Sequence, residues 1–135
     1  MTIQLATSTR NARLDAIETD AGTAAKLMMY TGSVPASCAA STTGTLLVEF
    51  DLASDWAANA SGGSKSFNNT PISANAVANG TAGYFRLYKS DGTTCIMQGN
   101  ITATGGGGDM TIDNTSIALG QLVNITGFTV TDGNA

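Results

Sequence analysis

Gly105, Gly106, Gly107, Gly108 and Asp109 are the stretch whose composition most suggests chemistry, because the backbone N–H groups of consecutive glycines can cradle a phosphate. A phosphate loop also needs a Gly-Lys-Ser/Thr ending and a helix behind it, and neither follows here. The four glycines therefore read as positions of positive φ or of close backbone approach, either within the domain or from a neighbouring chain. Asp109, Asp113 and Asn114 offer oxygen ligands at short spacing, but the rest of a calcium loop is missing, so no metal and no cofactor is assigned. Histidine is absent, which removes Ser-His-Asp and Cys-His catalysis together with the commonest zinc ligand. Glu18 and Glu49 are the only glutamates, one on an expected helix and one on the wet face of an expected strand, a poor basis for a glycosidase carboxylate pair. No residue is assigned a catalytic role, and the chain reads as a non-enzyme.

Two further residue types bear on chemistry. Cys38 and Cys95 match neither a zinc pattern nor a CxxC redox motif. They read first as two buried or partly buried thiols, with a disulfide as the alternative if the protein passes from the cytosol into an oxidising medium. Trp56, the only tryptophan, sits near Ala57, Ala58 and Ala60 and reads as a cap on the end of the core. The alternative gives Trp56, Tyr84 and Tyr88 to sugar stacking, as in an adhesion or carbohydrate-binding module.

The elements that must position these residues centre on a hairpin. Tyr84–Tyr88 and Thr94–Thr102 read as strands, and the Asp91-Gly92 pair between them carries the signal of a tight two-residue turn. Alternation places Phe85 and Leu87 on one face and Tyr84, Arg86 and Tyr88 on the other. The partner strand sets Cys95, Met97 and Ile101 against Thr94, Gln98 and Asn100. Residues 44–53 alternate most cleanly, with Leu46, Val48, Phe50 and Leu52 toward the core and Leu47, Glu49 and Asp51 toward water. Further strands are expected at 26–31, 65–67, 72–78, 109–112, 116–119 and 122–131, the last with a β-bulge at Gly127 where its phase changes.

Ser8–Ala21 is the one good helix candidate, capped by Thr7 or Ser8 and stopped at Gly22. Its stripe of Arg10, Leu14, Ile17 and Ala21 is too thin to fold alone, so it lies on the body of the domain or against a neighbouring subunit. The expected class is mainly β, an antiparallel β-sandwich or jelly roll with one N-terminal α-helix. Residues 1–22 form an N-terminal arm and helix, and 23–135 a single β-sandwich domain.

Charged residues make up only 12% of the chain against 42% hydrophobic, so the surface is polar but sparsely charged while the core is real. A net charge of −4 without any Lys/Arg cluster argues against nucleic acid as a partner. No apolar run reaches the roughly 20 residues of a membrane span, and the first residues do not form a secretory signal, so synthesis in the cytoplasm and no membrane partner are expected.

Residues 10–38 (RNARLDAIETDAGTAAKLMMYTGSVPASC), 44–56 (GTLLVEFDLASDW), 80–99 (GTAGYFRLYKSDGTTCIMQG) and 104–114 (TGGGGDMTIDN) together resemble a family of small virion structural proteins of tailed bacteriophages. The resemblance covers nearly the whole chain. It implies a capsid decoration or cement protein, located on a virion assembled in the host cytoplasm. Its implied partners are the major capsid protein and copies of itself as a dimer or trimer, with a tail or fibre component as the alternative. Contact residues expected on that basis are Ile3, Leu5, Arg10, Arg13, Leu14 and Ile17 in the N-terminal segment, the Gly105–Asp109 loop, and the chain end at 132–135.

Overall fold

Strands with apolar residues at alternating positions form the framework of this molecule. The structure, a computed structural model describing residues 3–133, contains one helix, α1 (Thr7–Ala21), and ten strands among those residues. The strands are β1 (Lys26–Thr31), β2 (Leu46–Asp51), β3 (Ser64–Ser66), β4 (Ile72–Asn75), β5 (Gly80–Tyr88), β6 (Cys95–Ala103), β7 (Met110–Ile112), β8 (Ser116–Ile117), β9 (Leu122–Ile125) and β10 (Thr129–Thr131). The main sheet has the order β2-β1-β5-β6-β7, with β8 on the far end of β5. Two short ribbons, β3-β10 and β4-β9, complete the body. The fold is mainly β and sandwich-like, as expected.

Leu27, Met29, Val48, Phe50, Phe85 and Leu87 project from the main sheet into one apolar core. The ribbons and the segments beside them close it with Trp56, Phe67, Val123, Ile125 and Phe128. Phe128 packs edge-on to Phe85 at 5.3 Å, and Phe67 meets both Phe128 and Trp56. The opposite face of the sheet carries a second cluster of Met28, Tyr30, Tyr84 and Tyr88. Tyr30 and Tyr84 stack at 5.0 Å there. The β5 half of the central hairpin is thus buried on both faces, and β6 is half-buried.

Several details differ from the alternation rule, each for a local reason. In β2 the pairing slips so that Met29 faces Val48 while Tyr30 faces Leu46. Leu47 is the extra residue, fully buried in the main core, and Leu46 turns to the tyrosine side. In β6 Leu87 faces Met97 but Tyr88 faces Cys95, so Ile96 is the bulged residue. Cys95 consequently lies on the tyrosine face, not beside Met97. A third slip leaves Gly83 unpaired between Tyr84 and Ala82. A Cβ there would collide with the backbone carbonyl of Gly32, so the close approach requires glycine.

The hairpin turn is longer than two residues. Lys89 N–H reaches Thr94 O at 3.0 Å, leaving a four-residue loop in which Asp91 accepts the Thr93 and Thr94 N–H groups at 2.8 Å each. Asx bonding of this kind is a turn device in its own right. Residues 122–131 form two strands in different ribbons, because the chain turns at 126–128 to bury Phe128, so no bulge at Gly127 is needed. β6 and β7 run parallel, with Ile101 opposite Met110, and break the otherwise antiparallel pattern. Finally, α1 begins at Thr7 after an N-cap at Ala6 that makes no side-chain bond, whereas the expected stop at Gly22 holds, with φ 73°.

Candidate functional site

The N-terminal helix is committed to the body. Leu14 and Ala21 are buried and Ile17 packs on the core. Lys65 in β3, only 5% exposed, bridges to Asp15 and Glu18 at 2.8 Å each and donates to Ala58 O. Burial alone would push the Lys65 ammonium down, but the two carboxylates together outweigh it and leave it above its ordinary value. Asp15 is held below the usual carboxylate range, first by the Lys65 hydrogen bond and then by the Ala60 N–H. Asn11 accepts the Gly63 N–H, Arg10 donates to Asp132 O at 2.9 Å, and Arg13 pairs with the Asp132 carboxylate at 3.2 Å.

Arg10, Leu14 and Ile17 therefore serve intramolecular contacts, and of the two readings of the helix stripe the body of the domain is the one adopted. Of the other expected contact residues in this segment, Ile3 is 84% exposed, Arg13 is exposed, and Leu5 is half-buried. Met1, Thr2, Asn134 and Ala135 lie outside the described residues.

The glycine loop is explained from within. Gly105 and Gly107 have φ of 87° and 78°, while a Cβ on Gly106 or Gly108 would lie 2.7 or 2.8 Å from the Thr102 side chain. Two glycines supply backbone freedom and two supply clearance. Together they let six residues return the chain beside β6 in parallel, where a dozen or more are usual. Asp109 and Asn100 lock the return by exchanging side-chain and backbone hydrogen bonds at 2.8 and 3.0 Å. Asp109 is thereby a structural pin at the surface. Among the described residues no group of three or more His, Cys, Asp or Glu side chains could hold a metal ion.

Sugar stacking requires an open aromatic face. Trp56 is 3%, Tyr84 0% and Tyr88 4% exposed, so the three proposed platforms are core residues and that reading loses its surface. Trp56 does close the core, as its first reading held.

Following Tyr84 and Tyr88 leads instead to a feature the sequence did not reveal. Residues 33–44 wrap over the tyrosine face and are held by Cys38, which forms a disulfide with Cys95 across a Cα–Cα distance of 5.4 Å. The favoured reading of two free thiols is thus corrected, because the Ile96 bulge turns Cys95 toward this loop. Tyr84 Oη donates to Thr43 O at 2.7 Å and Gln98 Nε2 to Pro35 O at 2.6 Å. Arg86, 3% exposed, donates to Ser37 O, Ala40 O and Gln98 Oε1. Beside it lies an open cleft of about 400 Å3 between residues 38–42, Tyr30, Tyr88 and the hairpin turn at Gly92 and Thr93.

An apolar corner also emerged. Val77, Leu119 and Leu122 are 58%, 65% and 56% exposed. They are gathered where Asn75 pairs with Leu122, Gly120 N–H reaches Ala76 O, and Asn79 accepts the Leu119 N–H. Strand alternation flagged none of them, since each sits at a strand end or in a loop. Among the described residues no helix is long and apolar enough to cross a membrane. Compared with family models, curated proteins and solved structures, the chain finds no match.

Proposed function

We propose that this protein is a structural component of a bacteriophage particle, a decoration or cement protein that docks on the outside of the major capsid protein shell and bridges neighbouring capsomers. The observation that carries the reading is the exposed apolar corner of Val77, Leu119 and Leu122, brought together where β4 and β9 pair. A gathered group of large apolar side chains held in water is better explained by a partner than by packing, and Ile3, exposed ahead of α1, is the candidate for a second contact. The sparsely charged surface around them suits wet, hydrogen-bonded interfaces, and repetition over a shell turns weak contacts into avidity. The resemblance noted in the sequence supports the same assignment.

Copy number per particle, measured by quantitative mass spectrometry against the major capsid protein, tests it. A ratio near one to one, or a simple fraction of it, is expected, whereas a few copies per particle would refute a shell-wide role. Co-sedimentation with shells lacking the protein locates the contacts. Ile3→Asp and Leu119→Asp should each weaken binding without lowering the melting temperature, because neither side chain packs in the core.

A further inference from the structure

Among the described residues two cations are buried, Lys65 and Arg86, and they are treated differently. Lys65 is neutralised by two carboxylates, Asp15 and Glu18. Among the described residues Arg86 has only neutral acceptors: Gln98 Oε1 at 3.0 Å, Ser37 O at 3.0 Å and Ala40 O at 2.8 Å. Its Nε and both Nη2 protons are used, while Nη1 has no acceptor among the described residues. Buried charges are ordinarily paired, because an uncompensated charge in a low-dielectric site is costly. No carboxylate lines the cleft that Arg86 borders. The other cation on this face of the sheet, Lys26, is already taken by Glu49 and Asp51 at 2.5 and 2.8 Å.

From this geometry we infer that the cleft is an oxyanion site, in which Arg86 Nη1 receives one oxygen of a carboxylate or phosphate group and the rim hydroxyls receive the others. Ser41, Thr42 and Thr93 supply hydroxyls around the opening. Tyr30 and Tyr88 share a hydrogen bond at 3.1 Å, and Tyr30 also reaches Met28 Sδ at 3.3 Å. A thioether is a weak acceptor. With Tyr30 donating to Tyr88, the Tyr88 O–H is free for an oxygen in the cleft at the loss of that sulfur contact alone. The ligand class follows from one fixed guanidinium with hydroxyl donors around it, a set that complements a compact oxyanion and offers a cation nothing but hydroxyl oxygens. The source is either a small free anion or a carboxylate presented by a docking protein, and the site stands independently of which surface binds a capsid.

The test is an amide NMR titration of the oxidised protein with inorganic phosphate, with acetate, and with a short acidic peptide. Sodium chloride at matched ionic strength is the reference. Saturable shifts confined to residues 38–42 and 92–93 are expected, absent with chloride. Tyr88→Phe, which keeps the ring, should weaken binding by roughly tenfold to a hundredfold, about the effect of one hydrogen bond to a charged group. Arg86→Gln should abolish it. Should Arg86→Gln prove unfolded by its own spectrum, Tyr88→Phe and Thr93→Val decide, since neither side chain takes part in the Arg86, Gln98 and Tyr84 bonds that hold the loop. A peptide binding at least about tenfold tighter than acetate identifies a protein-borne carboxylate, and parity identifies a free anion. Shifts that never saturate, that chloride reproduces, or that persist unchanged in folded rim variants overturn the assignment.

Discussion

Breaking the Cys38–Cys95 crosslink should cost this domain a large part of its stability while leaving its native structure nearly unchanged. The two cysteines are 57 positions apart. For a loop of that length the chain-entropy relation gives about 4 kcal/mol at 25 °C, acting through the unfolded chain, which becomes free to expand. The native side changes little, because residues 33–44 stay tied to the sheet by Arg86, Gln98 and Tyr84. For a domain of this size the loss corresponds to a fall in melting temperature of roughly 10 to 15 °C.

The assay is urea denaturation and calorimetry of protein purified without reductant, compared with the same protein under reductant and with a Cys38→Ser/Cys95→Ser double variant. The dependence of unfolding free energy on urea should steepen on reduction, since the uncrosslinked unfolded state exposes more surface. A stability change below about 1 kcal/mol, well short of the usual range for a native disulfide, would refute the reasoning. So would quantitative alkylation of both cysteines in unreduced, unfolded protein.

Other perturbations probe the remaining supports. Lys65→Met should destabilise by about 2 kcal/mol, less than a fully buried pair because Asp15 is partly exposed, and calorimetry should show Glu18→Gln recovering part of the loss. Hydrogen bonds from Thr94 and Thr93 lower the Asp91 carboxyl from 3.8 to about 2. Its contribution is therefore fully present above the unfolded value near 4 and is lost as pH falls through about 2. Carboxyl NMR should follow that titration directly, and Asp91→Asn should flatten the acid limb of the melting curve. Gly106→Ala and Gly108→Ala should each lower the melting temperature through contact with Thr102, and Thr102→Ala should restore part of the loss at Gly108, where the contacts are with Cγ2 and Oγ1, but little at Gly106, whose new methyl would still meet the Cβ of residue 102.

Much of the architecture was legible locally. Alternation in 84–88 assigned Phe85 and Leu87 to one face and the tyrosines with Arg86 to the other, because period two is a property of the extended chain itself. The helix and its glycine stop were legible for the same kind of reason. Phase was not. The bulges at Leu47, Gly83 and Ile96 are slips between paired strands, so they depend on which strand lies alongside. Each moves side chains to the other face, as it moved Leu46 and Cys95. The parallel return of β7 was hidden as well, since four glycines permit many paths and the Asp109–Asn100 exchange selects one.

By itself, then, the sequence determined a mainly β chain with one helix, a two-faced central hairpin, and a composition without histidine. Only the tertiary structure decided that Cys38 meets Cys95, that Trp56, Tyr84 and Tyr88 are buried, and that Lys65 has carboxylate partners while Arg86 has none among the described residues. These facts depend on groups brought together across long stretches of chain. Local periodicity sets a residue's face, but the strands and loops packed against that face set its surroundings and its chemistry.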